Sequence, residues 1–154
     1  EGGTWNYSRT TDNAGNILIN ELTGEGNLTT YKDKTDSTGA YTSIKTDPTG
    51  VTLTISRSSD ELTETQQLSC GMKQTLKYDL DSEYKFKYLK ESTKTSPLNL
   101  TLTTTFAKTY QDTNADKKPD LITETTTLNS KSWTMSNNVL TGIITNKSPL
   151  GRTI

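Results

Sequence analysis

Oxygen-bearing side chains recur at alternate positions in the stretch YQDTNADKKPDLITE, at Asp112, Asn114 and Asp116, and again at Asp120. A hard cation such as calcium takes roughly six to eight oxygen ligands, and a curling loop supplies them from alternate positions. A backbone carbonyl near Lys118 would fill the position that the side chains leave open. The stretch interrupts a Thr-rich, strand-like region, so such an ion would be structural, pinning one chain reversal. The same residues suit a solvated polar turn equally well, because Asp and Asn side chains bond back to nearby backbone amides.

The pattern resembles the short calcium loops of the FG-GAP and thrombospondin type 3 repeats, which read Asp-x-Asn-x-Asp-Gly-x-x-Asp before an apolar strand. The resemblance covers about ten residues and implies structural calcium held by Asp112, Asn114, Asp116 and Asp120. One departure is Lys117, which stands where those loops carry glycine and where positive φ strains any other residue. An EF-hand is excluded, since Lys117 and Thr123 replace its glycine and its bidentate glutamate.

Other chemistry is sparse. The chain has no histidine, which removes the commonest general base and the usual catalytic zinc ligand. Cys70 is the only cysteine, so no intrachain disulfide forms; it reads as a small buried thiol. Neither a Ser-His-Asp nor a Cys-His arrangement can be assembled. The glycines fall in turns rather than in a phosphate loop, and carboxylate pairs such as Asp79 with Asp81, or Glu61 with Glu64, read as solvated surface. The expectation is a protein without catalytic function.

The elements that would position these residues are strands. Val51, Leu53 and Ile55 alternate with Thr52, Thr54 and Ser56; Tyr84, Phe86 and Tyr88 alternate with Lys85 and Lys87; Leu98, Leu100 and Leu102 alternate with Asn99, Thr101 and Thr103. Period two places one set on a buried face and the other on a wet one. DNAG, DSTG and DPTG share the form Asp-x-x-Gly, in which Asp bonds back to the backbone and Gly accepts positive φ. Strands are expected near 3–10, 16–23, 26–32, 40–46, 50–57, 73–79, 83–90, 98–110, 120–129, 131–136 and 139–146. The segment SSDELTETQQLSCG admits a short helix over 60–69, with Ser58 and Glu61 as a capping box and Gly71 as its stop. This is an all-β, antiparallel meander in a single domain over 1–154, closed into a barrel or folded as a sandwich.

Composition narrows the setting. The 154 residues are 29% hydrophobic with a net charge of −1. That gives no electrostatic case for nucleic acid or an anionic membrane surface, and no apolar run is long enough to span a bilayer as a helix. Sequons at Asn6, Asn27, Asn99 and Asn146 are what so Thr- and Ser-rich a chain carries by chance. The first residue is Glu1 rather than Met, which leads us to expect a trimmed mature form of a secreted or envelope-anchored protein, such as a lipoprotein.

Gly3, Thr4 and Trp5 at the opening of the first strand resemble the start of the lipocalins and their calycin relatives. The resemblance implies an up-and-down barrel whose Trp5 closes one end, with Arg152 packed across its ring as a cation–π pair. It further implies an interior cavity for a small apolar ligand, lined by Leu53, Ile55, Tyr84, Phe86, Tyr88, Leu100, Leu102 and Trp133. Each of these eight also reads as an ordinary core residue. No Thr-Asp-Tyr segment precedes the middle strands, which departs from the lipocalin pattern. The rows TLTTTF, VTLTIS and ITETTT suit wet strand faces. Thr- and Asn-rich β-domains of this kind suit bacterial surfaces, which supplies the alternative: a structural or adhesive module, calcium-stabilised, that docks to an envelope protein partner. Bound calcium predicts that EDTA lowers the melting temperature and that Asp116→Ala abolishes the sensitivity; a melting temperature indifferent to chelation leaves only a turn.

Overall fold

A computed structural model describes residues 3–154. Twelve strands follow one another without a helix among the described residues: β1 (Asn6–Thr11), β2 (Ile17–Leu22), β3 (Leu28–Thr35), β4 (Tyr41–Thr46), β5 (Thr52–Arg57), β6 (Thr63–Leu68), β7 (Lys73–Leu80), β8 (Lys87–Thr95), β9 (Thr101–Gln111), β10 (Leu121–Leu128), β11 (Lys131–Asn138) and β12 (Ile143–Lys147). They are hydrogen-bonded in chain order, so the antiparallel meander is as expected. That order is linear, and the sheet is not closed into a barrel. No helix of the described residues is long and apolar enough to cross a membrane.

The reversals explain the regularity. In seven of them, at residues 12–15, 23–26, 36–39, 47–50, 68–71, 96–99 and 148–151, the first residue accepts from the amide of the fourth and donates to the carbonyl of the fifth. The fourth residue has positive φ: Gly15, Gly26, Gly39, Gly50, Gly71, Asn99 and Gly151. This is a type I turn followed by a left-handed residue, whose twist matches that of the flanking strands. Six of the seven carry a side-chain oxygen at the first position. Asp12, Asp36 and Asp47 each accept from the amides two and four residues on, while Thr23, Ser96 and Ser148 accept from the amide four on.

Ser58 and Glu61 belong to a reversal one residue longer, in which Ser58 donates to the Thr63 carbonyl, and here the expected helix fails. The Glu61 amide donates to the Ser58 carbonyl and Glu61 sits at φ 58°, so the Ser-x-x-Glu spacing closes a hairpin and residues 63–68 form β6. A capping box and a type I turn begin with the same Ser oxygen, and the β-branched Thr63 and Thr65 favour the strand. The stretch 83–90 is likewise shifted: Tyr84 and Phe86 lie in the β7–β8 turn, because Lys85 takes φ 59°. Cys70 is exposed in its turn rather than buried.

Contacts gather in two compact units, Glu1–Thr75 with Lys94–Leu100, and Leu76–Thr93 with Thr101–Ile154. Within each, the strand contacts of the described residues run between neighbours in the chain, the pattern of one sheet layer. Accordingly no apolar side chain of the described residues is fully buried. In the first unit, long cationic side chains cover aromatic rings on the adjacent strand. Lys45 lies over Tyr31 at 5.5 Å and Arg57 over Tyr41 at 5.9 Å, in each case from the directly paired position. Such cross-strand pairs are the means of holding a sheet when no facing layer exists. Gly3 and Gly24 are also in this unit, and a Cβ on Gly24 would stand 2.6 Å from the Gly3 Cα, so this backbone approach admits only glycine.

Every carboxylate whose pKa moves, moves down. Hydrogen bonds from Asn16 to Asp12, from the Thr38 hydroxyl to Asp36 and from the Thr49 hydroxyl to Asp47 are the largest causes in the turns. A depressed folded-state pKa contributes stability that is present above the unfolded value, roughly pH 4, and is lost as pH falls through the folded value. The melting temperature is therefore expected to fall between pH 5 and pH 3 (about one unit either side of that value), measured by circular dichroism; an unchanged value would contradict the role given to these turns.

Candidate functional site: the aromatic face of the second unit

Register divides the second unit into two unlike faces. Pairing of Thr125 with Ala107 and Thr134 fixes one face. Strand alternation then sets Thr103, Thr105 and Thr109, Thr123 and Thr127, and Ser132 and Ser136 on that same side. Its hydroxyls bond across strands, Thr127 with Ser132 at 2.8 Å and Thr123 with Ser136 at 3.3 Å. Pairing of Thr126 with Phe106 and Trp133, and of Glu124 with Lys108 and Met135, fixes the other.

That second face is organised around Lys108. Its ammonium pairs with Glu124 at 2.9 Å and lies over two rings, Tyr110 at 5.6 Å and Phe86 at 5.9 Å. The bond to Glu124 is the largest cause holding its pKa above the usual lysine value. Two adjoining depressions share Glu124 and Thr126. One, of about 190 Å³, is lined by Phe86, Tyr88, Phe106 and Lys108. The other, of about 400 Å³, is lined by Trp133, Met135, Asn146 and Arg152.

Beside Lys108 lies the most buried side chain of the described residues, Asp81, at 2% exposure. The Tyr110 hydroxyl donates to Asp81 Oδ2 at 2.5 Å, and the amides of Glu83 and Tyr84 donate to Oδ1 at 3.0 and 2.7 Å. Burial pushes the Asp81 pKa up, but the bonds from Tyr110 and the two amides outweigh it, leaving the carboxylate below its usual range. Burial first, then the bond to Asp81, pushes the Tyr110 phenol up to about 12, so Tyr110 is a neutral donor at any physiological pH. Tyr84 meets the Tyr110 ring edge-on at 5.5 Å. The Asp81 carboxylate is thereby taken up in fixing the β7–β8 turn. Its paired reading with Asp79 as surface misses this; the one signal was an Asp opening a turn ahead of an aromatic run.

The eight residues expected around one cavity are dispersed. Leu53 and Ile55 are half-buried on β5 of the first unit, and Leu100 is exposed there. Phe86 and Tyr88 line the smaller depression, Trp133 the larger, and Tyr84 packs on Tyr110. Leu102 lies on β9 at 43% exposure. Trp5 is stacked on Tyr7 with ring centres 6.5 Å apart.

The loop at 112–120 folds as a chain of side-chain-to-backbone turns. Asp112 accepts from the amides of Asn114 and Lys117, Asn114 from that of Asp116, and Asp116 from that of Lys118. Asp120, 3% exposed, accepts from the amides of Thr113 and Asn114 and from the Thr113 hydroxyl. Lys117 takes φ 66°, the conformation for which the related loops use glycine. Asp112 and Asp120 meet at the Asn114 amide, but no three carboxylates of the described residues gather at one point.

These features define an open, antiparallel all-β meander with one aromatic and one hydroxyl face in its second unit. No protein-family model, curated protein or solved structure matches the chain. Because Asp81 is buried, Tyr110→Phe, which keeps the ring against Tyr84, is expected to cost about 1–3 kcal/mol in urea unfolding; a loss of less than roughly 0.5 kcal/mol would show that the bond does not hold the turn.

Proposed function

We propose that the chain is a non-catalytic structural or adhesive module of the secreted or envelope-anchored kind, working through the aromatic face of its second unit. The observation that carries this reading is the single sheet layer: no apolar side chain of the described residues is fully buried, while Phe86, Trp133 and Met135 remain 38–47% exposed on or beside one face. Exposed apolar surface of this kind marks a contact surface rather than a core. A carrier for a small apolar ligand would need a closed barrel, and the linear strand order favours the module instead.

In the same reading, calcium is a structural staple of the β9–β10 hairpin. Lys117 already holds positive φ, which supports it, and an ion would have to draw Asp116 toward Asp112 and Asp120. The test of the module is a photoreactive residue placed at Thr126 on the aromatic face or at Thr125 on the hydroxyl face, in the cells that make the protein. Thr126 is expected to yield a discrete crosslinked product and Thr125 none; equal capture from both faces, or none from either, would refute it.

A further inference from the structure

The larger depression carries a specific ligand chemistry. Its floor is Trp133, 43% exposed, with Met135 beside it. Arg152 and Lys147 also line it, whereas Lys131, two residues before Trp133, lines a separate depression with Ser132 and Thr134. None of the ion pairs of the described residues uses Lys131 or Arg152. The acid lining the depression, Glu124, is engaged by Lys108. After Glu124 the chain has no Asp or Glu at all, only Lys131, Lys147 and Arg152, although the whole protein carries a net charge of −1. Positive charge is thus collected around one exposed indole.

We propose that this depression binds an acidic saccharide, one sugar ring seated on Trp133 and its carboxylate held by Arg152. The apolar C–H face of a pyranose suits a flat indole, and a carboxylate on the ring edge suits a guanidinium that presents paired donors. A nucleic acid fits less well. Its charge density calls for many cations, and the depression has two, Lys147 and Arg152, against an overall negative balance. The proposal rests on the adhesive-module reading and gives it a ligand class.

Titration of the whole chain tests it. In a Trp5→Phe background Trp133 is the only fluorophore of its kind. Pentagalacturonate is expected to shift its emission saturably, with affinity falling as salt is raised. Maltopentaose and an oligo-dT strand are expected to bind at least about tenfold more weakly. Arg152→Gln is expected to weaken pentagalacturonate by about tenfold, whereas Lys34→Gln, the same loss of charge in the other unit, leaves it unchanged. Unaltered circular dichroism confirms that each variant folds. No emission shift, equal binding of maltopentaose, tighter binding of oligo-dT, or equal effects of both charge variants would overturn the proposal. A silent titration alongside a crosslink to a protein from Thr126 would remove the saccharide and keep the module.

Discussion

The hairpin turn is the constraint on which the remainder depends. Its first residue offers a side-chain oxygen to amides that the reversal would leave unpaired, and its fourth adopts positive φ. Turn length sets register, and a shift of one residue would move every side chain to the opposite face. The separation of Phe106, Lys108 and Trp133 from Thr105, Thr125 and Thr134 depends likewise on register, here set by the 112–120 loop and by the two-residue turn of Asn129 and Ser130, both at positive φ. Where the fourth position is not glycine, as at Glu61 and Asn99, the hydrogen bonds of the hairpin hold a conformation that L residues otherwise avoid.

A sheet layer without a facing layer must be stabilised within its own plane. Here the ladder bonds are supplemented by cations laid over rings on the next strand, by ion pairs between directly opposed residues such as Arg57 with Glu64, and by hydroxyl pairs such as Thr127 with Ser132. Individually such surface pairs contribute little, about 0.2–1 kcal/mol each. Spread over several strands they add to the ladder bonds where no apolar side chain of the described residues is fully buried. The exception is Asp81, where a buried carboxylate held by Tyr110 and two amides ties the β7–β8 turn to β9.

Much of the fold was legible in the residues. Period-two alternation located eleven of the twelve strands, and Asp-x-x-Gly marked three of the turns. Thr23, Ser96 and Ser148 open the same turn, and their shared feature with Asp, an oxygen on the first side-chain branch, was the signal that went unused. The helix expected over 60–69 failed because a Ser-x-x-Glu spacing serves a helix start and a hairpin alike, and only the partner strand decides between them. The site was less legible. Trp133 and Phe86 were singled out as apolar, but alternation cannot say whether a face meets another layer or water.

By itself the sequence determined the class of structure: Thr, Tyr and Ile in alternation, punctuated by residues suited to positive φ, can satisfy their backbone groups only as antiparallel strands. It also excluded any chemistry that needs histidine. Tertiary structure alone decided that each unit is one layer, that Lys108 centres the aromatic face, and that Arg152 and Trp133 line one depression. Those outcomes depend on which strands pair and in what register, and pairing joins residues whose relation is invisible along the chain.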